Sequence, residues 1–279
     1  MKNDEIILQI NDLVKEYFKN ISYNFKAGQS KIPLAVPSYN HEEVIESIDS
    51  LLNTCVTMGE KVKQFEEKFA KYVGRKHAIM VNSGSSANLL SLAILTNPKF
   101  SKKLNSGDEV ITPALTWSTT VYPMVNNGLK PVFVDVDPET FCLDENKIEE
   151  AITKKTKAIM PVSLYGQPAD MDAIQAIADK YNLKVIIDGA QSFGSTFNKK
   201  TDSNLDDIST TSFFPSKPLG CYGDGGAVFT NNEDYEKKIK LLRVHGQNKR
   251  YHHQYIGIGG RLDTIQAGIL LAKLPHFSK

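Results

Sequence analysis

A lysine and an aspartate are the residues with the clearest chemical capacity. Lys217 stands between Pro215 and Pro218 in the run Ser212-Phe-Phe-Pro-Ser-Lys-Pro-Leu-Gly-Cys-Tyr-Gly-Asp-Gly-Gly226. Two prolines, with Gly220, Gly223, Gly225 and Gly226, exclude a helix interior or a central strand, so the lysine is expected on a tight loop. Short strands are predicted on either side, over Ser209–Phe214 and Gly226–Thr230. An amine on such a loop can attack a carbonyl, or it can be a solvated lysine on a surface turn; this stretch alone leaves both readings open. Upstream, Val185-Ile-Ile-Asp188 followed by Gly189-Ala-Gln191 reads as a buried parallel strand with a carboxylate at its C-terminal end. That is where ligands sit in open α/β sheets.

Other polar motifs fall at predicted strand ends. Asn82-Ser-Gly-Ser-Ser-Ala-Asn88 links a strand to a helix. Free N–H groups at the helix start, with the Ser85 and Ser86 hydroxyls beside Gly84, would seat a phosphate, although serines there are also ordinary helix caps. The segment Thr112–Thr120 carries the single tryptophan, Trp117, which is either a core residue or a flat surface for a ring to stack on. Arg261-Leu-Asp263 is either an ion pair at a helix start or an arginine free for a carboxylate. Lys249 and Arg250 face a diphosphate or water. His245, His252 and His253 have no carboxylate or cysteine at ligand spacing, so no metal is expected.

Helices and strands must bring these groups together. Four-residue apolar runs alternate with helical patterns: strands at 78–81, 109–112, 131–135, 157–162 and 184–188, and helices at 87–95, 145–152 and 171–181. Strands separated by helices need crossovers, which predicts an α/β fold with a mainly parallel sheet flanked by helices. Ahead of it, Ile6, Ile10, Leu13, Val14 and Tyr17 share one face of an amphipathic packing helix, followed by an extended arm over residues 21–37. Asn40 is positioned to cap a helix over 44–52, and a further helix carrying Val62, Phe65, Phe69 and Tyr72 should stop at Gly74.

Composition narrows the function classes. The 279 residues are 41% hydrophobic and 23% charged, enough for a sizeable core, and a net charge of +1 gives no reason to invoke nucleic acid or an anionic membrane. Three cysteines without metal or redox spacing point to a reduced cytoplasmic protein, in which Cys221 is a small loop residue. No apolar stretch suits a membrane span and the first residues do not resemble a signal peptide.

The spacing of Asp188 and Lys217, with the wording SFFPSKPLGCYGDGGA, resembles fold-type I pyridoxal-phosphate enzymes, and among them the DegT/DnrJ/EryC1/StrS family of nucleotide-sugar aminotransferases. The resemblance implies that Lys217 binds the cofactor aldehyde and that Asp188 holds the ring nitrogen protonated. It further implies that Gly84, Ser85, Ser86 and Ser212 receive the phosphate, that Trp117 covers the ring, and that Gln191 lies near the ring oxygen. A homodimer with shared sites is implied as well. The stretch from Arg243 to Asp263 is similar to a subgroup that aminates the 3-keto group of a UDP-linked acetamido-hexuluronate with glutamate as donor. Arg261 would meet the uronate carboxylate there, and Lys249 and Arg250 the nucleotide diphosphate.

Two departures stand out. Gly259 occupies a place where the family usually carries asparagine, and the family continues for roughly a hundred residues past Lys279 into a small C-terminal domain. The expected organisation is therefore a helix and arm (1–40), a cofactor-binding large domain (41–261) and the start of an interdomain helix (262–279). Such a chain would be expected to bind cofactor with weak or absent turnover. The first half is also similar to a dehydratase branch that carries histidine in place of the lysine. A dehydratase and a non-enzymatic cofactor-binding fragment therefore stand beside the aminotransferase as alternatives.

Overall fold

A computed structural model describes residues 3–21, 25–32, 39–100 and 103–277. Most of the sheet is made by short β-branched runs: β1 (His77–Val81), β2 (Glu109–Pro113), β3 (Lys130–Val134), β4 (Thr156–Ile159) and β5 (Lys184–Asp188). Two-residue strands β6 (Thr196–Phe197) and β7 (Lys200–Thr201) form a separate ribbon, after which β8 (Ile208–Ser212) and β9 (Gly226–Thr230) complete a seven-stranded sheet. Its order is β1-β9-β8-β5-β4-β2-β3, with β9 antiparallel to both neighbours and every other pair parallel. The C-terminal ends of six strands and the first residue of β9 consequently share one edge.

Successive sheet residues enter different cores, as the two-residue period of a strand requires. Met80, Ala227 and Phe229 join Phe65, Phe69 and Phe213 in one cluster; Ile79, Val81 and Val228 join Leu90, Met124 and Leu242 in another. A third cluster holds Val185 and Ile187 with Ile148 and Ile174. Both faces are thus covered, and the parallel-sheet expectation holds with β9 as its exception.

The covering helices are α1 (Asn3–Lys19), α2 (His41–Leu52), α3 (Glu60–Val73), α4 (Gly84–Thr96), α5 (Ser118–Asn126), α6 (Ile148–Ala151), α7 (Met171–Tyr181), α8 (Glu233–Leu242) and α9 (Thr264–Lys273). Asn40 caps α2 through a full capping box with Glu43, and α3 stops at Gly74 in a left-handed conformation, both as expected. Among the described residues, no helix is long and apolar enough to cross a membrane.

Three local expectations differ. The helix over 145–152 is one 3-10 turn plus the four residues of α6, since Ile152 is already extended. Strand β4 ends at Ile159, just before Pro161, which has no N–H to continue the ladder; the Asp188 N–H donates to the Pro161 carbonyl instead (3.0 Å). Helix α1 forms as predicted, yet it buries none of its residues, and Leu13 is 66% exposed. Among the described residues its apolar face is only partly covered, with Ile10 and Val14 half-buried. Of the extended arm, residues 22–24 and 33–38 lie outside the described residues.

Candidate functional site

Strand β5 carries Asp188 to the shared edge, where its carboxylate is only 4% exposed. Asn88 Nδ2 and Thr120 Oγ1 each donate to its Oδ2 at 2.8 Å, and the Ala190 N–H donates to Oδ1 at 3.2 Å. Asn88 is itself fixed, since Thr210 Oγ1 donates to its Oδ1 (2.7 Å) and its Nδ2 also donates to the Thr119 carbonyl (3.1 Å). All of Asp188's donors are neutral. Its charge is oriented by the fold without being cancelled by it.

Lys217 sits on the loop between β8 and β9. Phe213 N–H donates to the Gly225 carbonyl, Cys221 N–H to the Phe213 carbonyl and Lys217 N–H to the Phe214 carbonyl, each at 2.8 Å, so the chain is turned back on itself. A Cβ on Gly220 would lie 2.7 Å from the Pro215 carbonyl oxygen, which explains a glycine there. The Lys217 ammonium has no hydrogen bond or ion pair among the described residues. Burial lowers its pKa, while the negative charge of Asp188 acts in the opposite direction. Strand β8, which leads into the lysine loop, lies beside β5 with Thr210 opposite Asp188, so loop and carboxylate rise from neighbouring strands. Cys221, by contrast, is a brace: burial pushes its thiol up to about 12, and it donates to the Phe213 and Gly223 carbonyls.

Beside the lysine loop lies the start of α4. Ser83 caps it, accepting from the Ser86 N–H (3.0 Å) and donating to the Ser86 hydroxyl (3.1 Å). Ser86 takes part in the cap through its N–H and its hydroxyl oxygen while its own hydroxyl proton stays free to donate, and the N–H groups of Gly84 and Ser85 are left for an anion. A Cβ on Gly84 would meet the Ser212 Cβ at 2.7 Å, and one on Gly226 would meet the Ser83 carbonyl carbon at 2.5 Å. The glycines thus let Ser212, the helix start and β9 close into one cradle. Ser212 Oγ accepts from the Phe214 N–H at 3.3 Å.

Trp117 directly precedes α5 and is 70% exposed, which excludes the core reading. Its segment is anchored at Asp188 through Thr120, whose own N–H donates to the Trp117 carbonyl (3.0 Å). Gln191 lies on the turn just past Asp188, accepting a long hydrogen bond from the Tyr165 N–H (3.4 Å). Arg261 is exposed and makes no ion pair with Asp263 among the described residues, so the helix-start pair is absent there. It follows Gly260, whose carbonyl accepts from the Asn82 N–H (3.0 Å), which places it at the cradle's end of the sheet.

Lys249 and Arg250 are not brought into the cluster. They lie on a hairpin of β10 (Gln247–Lys249) and β11 (His252–His253), where the Arg250 guanidinium stacks on Tyr251 instead. At Gly259, a Cβ would fall 2.9 Å from the His245 ring, so this chain has filled that space with imidazole. No cluster of three metal-ligating side chains occurs among the described residues.

Sequence reasoning missed Asn88, Thr120 and Thr210 as the residues that orient Asp188. A signal existed: Asn88 is a lone amide in the apolar face of α4, and β8 presents three consecutive buried hydroxyl residues, Ser209, Thr210 and Thr211. Buried polar groups on that scale require partners.

The chain is similar to known proteins over most of its length. A UDP-2-acetamido-2-deoxy-3-oxo-D-glucuronate aminotransferase of Pseudomonas aeruginosa is 49% identical over 223 residues, 80% of this chain and 60% of the relative. A GDP-perosamine synthase of Caulobacter vibrioides is 41% identical, covering 88% and 65% respectively. Among solved structures, S. venezuelae DesV in complex with a ketimine intermediate superposes with a TM-score of 0.80 at 35% identity, over 85% of this chain and 62% of that one. A GDP-4-keto-6-deoxymannose-3-dehydratase with a trapped PLP-glutamate geminal diamine gives 0.83 at 33%, over 89% and 69%. The chain spans about 60% of the length of the first of these relatives. The family model for DegT/DnrJ/EryC1/StrS aminotransferases matches residues 38–279, and the chain belongs to that family.

Proposed function

We propose that residues 41–261 form the cofactor-binding unit of a pyridoxal-phosphate-dependent aminotransferase acting on a nucleotide-linked keto-sugar. The observation that carries this reading is a half-buried amine, Lys217, with no hydrogen bond or ion pair among the described residues, on the loop after β8, beside the β5 strand that presents the neutrally held carboxylate of Asp188. The donor set fits the cofactor. Gly84 and Ser85 N–H groups with the Ser212 hydroxyl suit a phosphate, Asp188 a protonated ring nitrogen, and the exposed indole of Trp117 a ring face. When bound, pyridoxal phosphate supplies an aldehyde for a lysine and a ring that accepts electrons.

The remaining work falls to side chains of this chain. Burial disfavours the charged form of the Lys217 amine, which suits a group that would bind an aldehyde carbon and, once released, take a proton from the substrate's amino-bearing carbon. Asn88 and Thr120 hold Asp188 in the orientation that a ring N–H would meet. Gln191 approaches from the turn beyond it. For the sugar, likeness to the P. aeruginosa enzyme favours a UDP-linked 3-oxo uronate, with glutamate proposed as the amino donor, and Arg261, exposed and without an acidic partner among the described residues, suits a uronate carboxylate. Lys249 and Arg250 would join the substrate site only if their hairpin reached a nucleotide. The reading includes a homodimer, supported by the exposed apolar surface of Trp117, Tyr122, Val125 and Phe133. Likeness to the dehydratase favours a second reading, against which stands an amine at 217 where that branch is expected to carry imidazole.

The test is direct. The chain mixed with pyridoxal phosphate should develop an absorbance band that borohydride traps on Lys217, and Lys217→Ala should abolish it. UDP-, dTDP- and GDP-linked keto-sugars offered with 15N-glutamate should then give a labelled amino sugar by mass spectrometry, if only slowly. Absence of the Lys217 adduct overturns the cofactor assignment; an adduct with sugar dehydration and no label transfer favours the second reading.

A further inference from the structure

On the far side of the lysine loop, three successive carbonyls are gripped by side chains from distant parts of the chain. Lys273, at the end of α9, donates from Nζ to the Gly220 carbonyl at 2.7 Å. Tyr39, just before α2, donates from its hydroxyl to the Cys221 carbonyl at 3.2 Å. Gln266, on α9, accepts from the Tyr222 N–H (2.9 Å) and donates to the Tyr222 carbonyl (3.3 Å).

Lys273 is the unusual member. It is 8% exposed and lies 4.3 Å from the centre of the Tyr39 ring, and it forms no ion pair among the described residues. Lysines are seldom buried without an ionic partner, because desolvating the ammonium is costly. Burial lowers its pKa, and the buried carboxylate of Glu43 acts against that shift. A neutral donor would satisfy one backbone carbonyl at much lower cost, so the placement of a charge there calls for a role. Packing fixes the loop only in part: Leu219 and Cys221 are buried in a core cluster, while Pro218 and Leu219 also border a cleft of about 370 Å³ that reaches Tyr39 and Lys273. The loop's near side is already closed, with residues 215 and 220 in contact and Lys217 between them. The polar grip on residues 220–222 adds direction to that packing at the tip's far side.

We propose that Lys273, with Tyr39 and Gln266, acts as a positioning residue for Lys217, holding the lysine loop at the height where its amine meets a carbonyl. The inference rests on the cofactor reading above for its purpose, but its geometry does not. The first measurement therefore uses the cofactor-free chain. Amide hydrogen exchange over residues 213–226 should accelerate about tenfold in Lys273→Met, the worth of one hydrogen bond from a charged donor, while β1 and β5 stay protected. Tyr39→Phe, which keeps the ring, should give a smaller change in the same peptide, and it carries the test should Lys273→Met fail to fold. The second measurement is the rate of pyridoxal phosphate capture at Lys217, trapped by borohydride. It should fall about tenfold in Lys273→Met and recover to within about threefold in Lys273→Arg, which restores a charged donor. Wild-type exchange and capture in both Lys273→Met and Tyr39→Phe would overturn the proposal. So would slowed capture accompanied by equal loss of protection throughout the sheet, which marks general destabilisation. A wild-type chain that captures no cofactor would sink the functional reading while leaving the exchange result to decide this one.

Discussion

Two buried carboxylates beside β5 are treated in opposite ways. Asp206 meets the Arg75 guanidinium at 2.7 Å and accepts from the Ile187 N–H at 2.9 Å, and both side chains of the pair are almost wholly buried. Arg75 also donates to the Ser203 and Asp206 carbonyls, tying α3's exit to the start of β8. Burial drives the Asp206 pKa well up, against the pull of Arg75. Asp188 has no cation bonded to it, only an amide, a hydroxyl and a backbone N–H. At Asp206 a cation of the fold meets the carboxylate; at Asp188 neutral donors aim it and leave it open.

The contrast can be broken from either side. Arg75→Met should leave Asp206 buried without its partner and cost about 3–5 kcal/mol in urea unfolding, with no specific change in the chemistry of Lys217 in whatever protein remains folded. Asp188→Asn should do the reverse. Stability should fall by only about 1–2 kcal/mol, since the amide is nearly isosteric and keeps an acceptor for Asn88 and Thr120 while its NH2 faces the Ala190 N–H, whereas the proposed transamination should fall on the order of 10²–10³-fold through loss of a preorganised charge. Comparable unfolding losses in the two variants would erase the distinction.

The smallest expected effect concerns acidity. Burial lowers the Lys217 pKa, so an amine-directed acylating reagent should modify Lys217 at lower pH than the exposed lysines. Asp188 acts to raise that pKa, and Asp188→Asn should therefore move the modification profile of the cofactor-free chain to still lower pH. An unmoved or upward-moved profile would show that the two groups do not share a site.

Lys217, Asp188 and the Gly84 turn were legible in the sequence because each belongs to a local pattern: prolines around an amine, an apolar run ending in a carboxylate, glycine and serine at a helix start. The groups that orient them were not. Asn88 meets Asp188 across 100 positions of sequence and Lys273 meets Gly220 across 53, and periodicity cannot pair residues so far apart. Amphipathicity misled in another way at α1. A helix with an apolar face advertises a need for cover without saying what supplies it, and the described residues supply it only in part. At residues 145–152 the helical period was present, but only a single turn and a half were available before the chain became extended.

The reversed direction of β9 has a consequence for how the amine can move. Because β8 and β9 are neighbours running in opposite senses, the segment between them leaves and rejoins the sheet at the same place, like an arch with both feet on one sill. Every other strand in the main sheet hands its chain on to a long excursion. An arch of that kind resists sliding as a whole, so any travel of the nitrogen between cofactor and substrate has to come from rotation about the four methylene carbons of a single side chain.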